Sequence, residues 1–194
     1  MGAISTKSME DNPALAPLMQ SIAGAMGFVP NSTLTMAHWP ELLNAFSHLA
    51  MTVLQSGEVS GELKQLVALV ASRAAGCRYC QAHTAHSAHN AGASPEKIAA
   101  AFEFESSPLF SDRERSTLRF AWHAALQPCA VEDQDYSQLK KCFSERQIVE
   151  IVAVVSLFGF LNRWNDSLGT DLEDSPRTFA EKTLSDIGWS QQST

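Results

Sequence analysis

The feature that most limits what this chain can fold into is the spacing of its apolar side chains between Ser60 and Leu168. Leu63, Leu66, Val67 and Val70 recur at steps of three and four, the period of one helix face, and no run of alternating β-branched residues competes with them. Ser60 caps the start of this helix and Gly76 interrupts it near Ala75. A second helix is expected from about Cys77 to near Gly92, and Ser94-Pro95-Glu96 starts another. Ser111 with Glu114, and Ser144 with Gln147, are capping-box patterns, the second opening a long helix over about 145–168. Pro128 predicts a break between them. Upstream, Asn12-Pro13 opens a helix that Gly27 stops, Asn31 or Ser32 caps a short one, and Pro40 begins the next. The fold class read from these signals is all-α. They predict one domain over residues 1–170, with core segments at about 60–92 and 144–168. Residues 171–194 turn polar and read as a partly mobile C-terminal tail.

A chain of 194 residues can bury one substantial core. Fourteen basic against twenty-one acidic side chains leave a net charge of -7, which argues against a nucleic-acid partner. Residues 1–11 lack the apolar run of a secretory signal. The longest apolar stretch, 148–161, is short for a bilayer and carries Glu150. These features predict a soluble, cytoplasmic protein with no membrane partner. In that compartment four cysteines do not form a disulfide scaffold, and a closely spaced pair points to catalysis or metal binding.

That pair is Cys77 and Cys80, within Ala75-Gly76-Cys77-Arg78-Tyr79-Cys80-Gln81-Ala82-His83. Two cysteines three apart on a helix share a face and can close a disulfide with modest adjustment. In a first turn, unpaired N–H groups and the helix dipole favour a thiolate. His83, one turn beyond Cys80, is placed to relay a proton, which makes Cys80 the candidate for first attack and Cys77 the resolving thiol. A chance pair of packed thiols is the bland alternative. Zinc held by Cys77, Cys80, His83 and His86 is another, but four such positions drift round a continuous helix and do not converge on one ion. His86 and His89 read as a polar stripe, His38 as a packing or surface residue, and His48 as either that or a pocket wall. Cys129 and Cys142 read as incidental thiols. The apolar faces around Phe158 and Phe160 are expected to meet a second copy of the chain.

An internal similarity accompanies the pair. With an offset of 85, Gln65-Leu66-Val67-Ala68 falls on Glu150-Ile151-Val152-Ala153, and Cys77-Arg78-Tyr79-Cys80 falls on Asn162-Arg163-Trp164-Asn165. A duplication would have left the thiols in the first copy and scaffold in the second.

The motif from Ser72 through His83, with Gly27-Phe28-Val29-Pro30-Asn31 upstream and Leu161-Asn162-Arg163-Trp164-Asn165-Asp166 downstream, resembles the carboxymuconolactone decarboxylase and alkylhydroperoxidase D superfamily, in particular its peroxidase-related members. The resemblance implies an all-α fold, homo-oligomeric assembly and a buried dithiol that reduces a peroxide substrate, reset by an external dithiol reductant; the two related helical halves are expected from the internal similarity. No metal or organic cofactor is implied. In the alkylhydroperoxidase branch a glutamate twelve residues before the first cysteine and a histidine four after the second complete a proton relay. This chain has Gln65 and Thr84 there, neither of which titrates near neutral pH. Substitutes read from the sequence are His83, with Glu62, one turn before Gln65, or Glu150, which the offset places on Gln65. The same departures leave open a redox sensor, a non-catalytic binding protein, or a lactone decarboxylase of the same superfamily.

Overall fold

Serine side chains set four of the helix starts: Ser60, Ser94, Ser111 and Ser144 each accept a hydrogen bond from the backbone N–H three residues on. The computed structural model describes residues 2–190. Its helices are α1 (Ala16–Met26), α2 (Asn31–Met36), α3 (Pro40–Gln55), α4 (Gly61–Ala75), α5 (Arg78–Asn90), α6 (Pro95–Ala99), α7 (Asp112–Ala125), α8 (Asp133–Cys142), α9 (Glu145–Leu168) and α10 (Asp174–Leu184). Among the described residues no strand forms. The chain is all-α, as its periodicity predicts.

Helix α4 is the axis of the molecule. Leu66, Val67, Ala68, Leu69, Val70 and Ala71 are all buried, so the helix is enclosed on every side rather than along one stripe. Helices α5, α7 and α9 pack around it, and α3 lies against α9. Each leucine or valine enclosed in this way contributes roughly 1.5–3 kcal/mol relative to leaving it in water. A second, smaller cluster of Leu15, Met19, Met36, Ala37 and Leu43 ties α1, α2 and α3 together, and Phe46 and Leu161 bridge it to the main core.

Gly76 ends α4 at φ +84°, a left-handed conformation that costs glycine little. Its N–H donates to Arg73 O, and Cys77 N–H donates to Ser72 O, both at 3.1 Å. This paired closure turns the chain sharply and delivers Cys77 as the N-cap of α5. At the matching place in the second segment, α9 runs through unbroken for 24 residues.

By length and composition α9 is apolar enough to cross a membrane, which revises the length argument made from residues 148–161. Here it serves as a core helix. Ile148, Ile151, Val154, Leu157 and Phe158 enter the core, and Glu150, Asn162 and Asn165 turn inward with them.

The segment after Gly169 departs from expectation. Rather than a mobile tail, it forms α10, which packs on α5 and α6 and buries Pro176, Ala180 and Leu184. Trp189 beyond it is buried, donating from Nε1 to Arg78 O at 3.1 Å, while Arg78 Nη1 donates to Gly188 O at 2.9 Å. The helix is short and polar on average, so tertiary packing is what stabilises it. Residues 191–194 of the expected tail lie outside the described residues.

Candidate active site

Cys77 and Cys80 are free thiols, exposed by 0% and 2%, at the start of α5. Cys77 Sγ occupies the capping position and accepts a hydrogen bond from Cys80 N–H at 3.4 Å. Across from them α9 presents Asn165, whose Nδ2 donates to Cys80 Sγ at 3.4 Å and to Leu161 O at 2.9 Å. The two residues that meet here, Cys80 and Asn165, are the pair matched by the internal offset of 85. The Cys77 thiol is pushed far above the ordinary range, first by its hydrogen bond to Cys80, then by burial and by the charge of its neighbour. The carboxylate of Asp166 acts in the same direction. Cys77 therefore keeps its proton in the resting pair.

Two cavities are lined by neighbours of the thiols in the chain and on α9, although neither thiol itself lines them. The larger, of about 1010 Å³, is walled by Met36, Trp39, Leu42, Phe160 and Trp164, with Asn162 and Asp166 among its polar groups. The smaller, of about 280 Å³, is lined by Gly76, Tyr79, Asn165, Asp166 and Trp189. Asp166 borders both. Both amide atoms of Asn162 and the Oδ1 of Asn165 are buried without a hydrogen-bond partner.

His83 lies on α5, one turn after Cys80, with its ring stacked on Tyr79 at 4.3 Å between centroids and tilted against Phe28 at 5.7 Å. Its Nε2 is 2.6 Å from Glu173 Oε2. Glu173, the N-cap residue of α10, also accepts from the Tyr79 hydroxyl at 2.8 Å and from the backbone N–H of Asn31. Burial raises the Glu173 carboxyl, but the His83 hydrogen bond and charge, with the Asn31 N–H, outweigh it and hold the group below its ordinary value. Among the described residues no hydrogen bond links His83 to either thiol, and none occupies its Nδ1.

The two other carboxylates named from sequence are engaged elsewhere. Glu62 pairs with Lys97 at 2.8 Å, and Lys97 also holds Glu114 at 2.6 Å, joining α4, α6 and α7. Glu150 accepts from Glu58 N–H and Val59 N–H and pairs with buried Lys64 at 3.3 Å and with Arg146 at 3.1 Å. Burial pushes its carboxyl up, and these donors bring it down to about 2. Glu62 and Glu150 thus work as structural clamps rather than at the thiols, because cationic partners on their own and adjoining elements satisfy them first. Thr84 donates to Cys80 O at 2.7 Å and is spent on the helix backbone. His48 and His89 are exposed, and His86 lies beside Phe28 and Phe179. Phe158, expected between subunits, sits in the chain's own core, whereas Phe160 is exposed.

Glu173 is the group beside His83 that sequence reasoning missed. It follows Leu172 in a polar stretch, ninety residues from His83, and no local pattern marks it. Asn165 had a faint marker in the internal offset.

An all-helical chain with a buried Cys-x-x-Cys at the first turn of a helix defines a class of thiol-bearing helical protein. Residues 40–122 match the carboxymuconolactone decarboxylase family. The debrominase Bmp8, solved as a cysteine-to-alanine variant in complex with 2,3,4-tribromopyrrole, superposes with a TM-score of 0.87 at 32% identity, over 93% of this chain and 96% of that one. An uncharacterised peroxidase-related protein from Ralstonia eutropha, with an alkylhydroperoxidase AhpD core, superposes with a TM-score of 0.82 at 21% identity, over 92% of this chain and 95% of that one. The uncharacterised protein YnjA of Escherichia coli is 32% identical over 75 residues, covering 39% of this chain and 41% of its own length. The chain belongs to the carboxymuconolactone decarboxylase and alkylhydroperoxidase D-like superfamily.

Proposed function

We propose that this protein is a dithiol reductase that delivers two electrons from Cys77 and Cys80 to a peroxide. The observation that carries the reading is the pair itself: two buried free thiols one turn apart, with a hydrogen-bond donor from Asn165 on Cys80 and a proton retained on Cys77. Cys80 as thiolate attacks one peroxide oxygen. The O–O bond breaks, an alcohol or water leaves with one proton, and Cys80 becomes a sulfenic acid. Cys77 then gives up its proton and attacks that sulfur, the S–S bond forms, and water departs. An external dithiol reduces the disulfide by exchange, closing the cycle. This chemistry suits the reducing cytoplasm, and the exposed apolar face of α9 suits assembly with further copies of the chain.

A second substrate is favoured by the 32% identity to a debrominase that binds tribromopyrrole. The same pair would take bromine from an electron-rich ring. Cys80 sulfur bonds to bromine, the ring carbon gains a proton, and Cys77 displaces bromide to form the disulfide. The aromatic walls of the larger cavity, Trp39, Phe160 and Trp164, fit a flat ring.

The test is stopped-flow mixing of the reduced protein with hydrogen peroxide, cumene hydroperoxide and 2,3,4-tribromopyrrole, counting thiols and free bromide. Loss of two thiols per chain with a peroxide, much faster than for a free cysteine and abolished in Cys80→Ser, supports the peroxidase reading. Bromide release without fast peroxide consumption replaces it with the debrominase reading. Oxidation no faster than a free thiol with all three substrates removes both.

A further inference from the structure

We propose that Glu173 is the positioning residue for a His83 base that serves Cys80, so that the relay of this site is completed from the C-terminal segment. The inference rests on the dithiol reading above and adds to it a group from the far end of the fold.

The geometry is specific. A carboxylate 2.6 Å from His83 Nε2 makes that nitrogen the N–H donor and leaves Nδ1 with its lone pair, the state a proton acceptor needs. Tyr79 then fixes the pair twice, stacking its ring on the imidazole and donating its hydroxyl to the other carboxylate oxygen. The Asn31 N–H donates to that same oxygen, Oε1. Three elements therefore converge on one carboxylate: α5 through His83 and Tyr79, α2 through Asn31, and α10 through Glu173 itself. A surface ion pair would not need this many partners. Both side chains are about seven-eighths buried, which strengthens their hydrogen bond and keeps water from competing for Nε2.

The chemistry follows from position. Tyr79 and His83 flank Cys80 on the same helix, one immediately before it and one a turn after. His83 takes the proton that leaves Cys80 and returns it to the oxygen departing from the peroxide, either directly or through one bound water. Glu173 stabilises the imidazolium formed in between and does not itself take the proton. The other titratable group that acts on this network is His86 on α5, whose charge opposes that of His83; nearby, Asp171 is held by Gly2 N–H and by the charge of Arg177, and Arg177 pairs with the exposed Asp174 at 3.1 Å.

The experiment compares wild type, Glu173→Gln, Glu173→Asp, His83→Ala and the His83→Ala/Glu173→Gln double variant. Two rates are read from pH 5 to 9: peroxide oxidation by stopped flow, and alkylation of Cys80 by iodoacetamide with the site assigned by mass spectrometry. Glu173→Gln is expected to slow oxidation about tenfold or more and to move the pH midpoint of alkylation. Glu173→Asp, which keeps the charge, returns part of the rate and guards against a folding defect. Because Glu173 acts through His83, the double variant is expected to be no slower than His83→Ala alone. Equal rates and an unmoved alkylation profile in Glu173→Gln would overturn the proposal, as would losses that multiply in the double variant. If wild type oxidises no faster than a free thiol, the peroxidase reading fails, while the alkylation profiles still decide the role of Glu173.

Discussion

At the site, a single asparagine is the side-chain donor that meets a thiol. Asn165 directs Nδ2 at Cys80 Sγ from 3.4 Å, in a place where water does not reach. A donor aimed at a buried sulfur favours its anion, and hydrogen bonds to charged groups contribute roughly 1.5–3 kcal/mol. Asn165→Ala is therefore expected to slow iodoacetamide alkylation of Cys80 at pH 7 by about tenfold, as the lower end of that range converts at 1.4 kcal/mol per decade. Asn165→Asp is expected to slow it further, since an anion beside the sulfur opposes a second one. An Asp variant alkylated as fast as wild type would show that Asn165 serves packing alone. Sequence marked the thiols and His83 because their chemistry is local, lying within seven residues on one helix. It did not mark Glu173, because a hydrogen bond closed across ninety positions leaves no spacing to detect. Glu62 and Glu150 looked equally available on paper, and only the packing shows that Lys97 and Lys64 hold them.

Among the elements, the join between α3 and α4 is held by one buried carboxylate. Glu150 on α9 accepts from the N–H groups of Glu58 and Val59, and Lys64 Nζ reaches it at 3.3 Å while also donating to Val53 O at 2.8 Å. Gly57 sits at φ +104°, with the Glu150 carboxylate where a β-carbon would go, so any side chain there meets both strain and a clash. Glu150→Gln leaves Lys64 buried without its anion, and breaking such a pair costs about 3 kcal/mol. The sign with pH is set by a carboxyl lowered from 4.5 to about 2 on folding. Its contribution is complete above pH 4.5 and is lost as pH falls toward 2. Urea melts between pH 6 and 2 are expected to show a steeper loss of stability in wild type than in Glu150→Gln, and parallel curves would refute the lock. The helices it joins were legible from Ser60, Gly76 and Ser144, whose caps are local. By contrast, α10 was not legible: its buried residues gain their meaning from α5 and α6, which a linear reading does not bring beside it.

For the whole molecule, α9 has two faces with different destinations. Inward it carries Ile151, Val154 and Phe158 together with Asn165, so the same helix builds the core and touches the thiol. Outward it leaves Val149 at 63% and Phe160 at 39% exposed, with Val152 between them and Leu49 and Met51 exposed on neighbouring α3. The apolar groups gathered on this face of α9 are costly to leave in water at roughly 25 cal/mol per Å². A two-fold pairing of this face with itself, at roughly 800 Å² per partner, would cover them. Such a pairing would also wall the larger cavity, since Phe160 and Trp39 line its side. The expectation is that wild type sediments as a dimer or higher assembly at micromolar concentration. Val149→Glu/Val152→Glu is expected to shift it toward monomer by at least tenfold in dissociation constant, with its circular dichroism unchanged. Both substituted positions lie outside the core and away from Asn165, so reduced peroxide turnover in that variant would mean that the partner helps to enclose the substrate. A wild type that sediments as a monomer would instead leave the α9 face without a partner of its own kind and would remove the assembly reading.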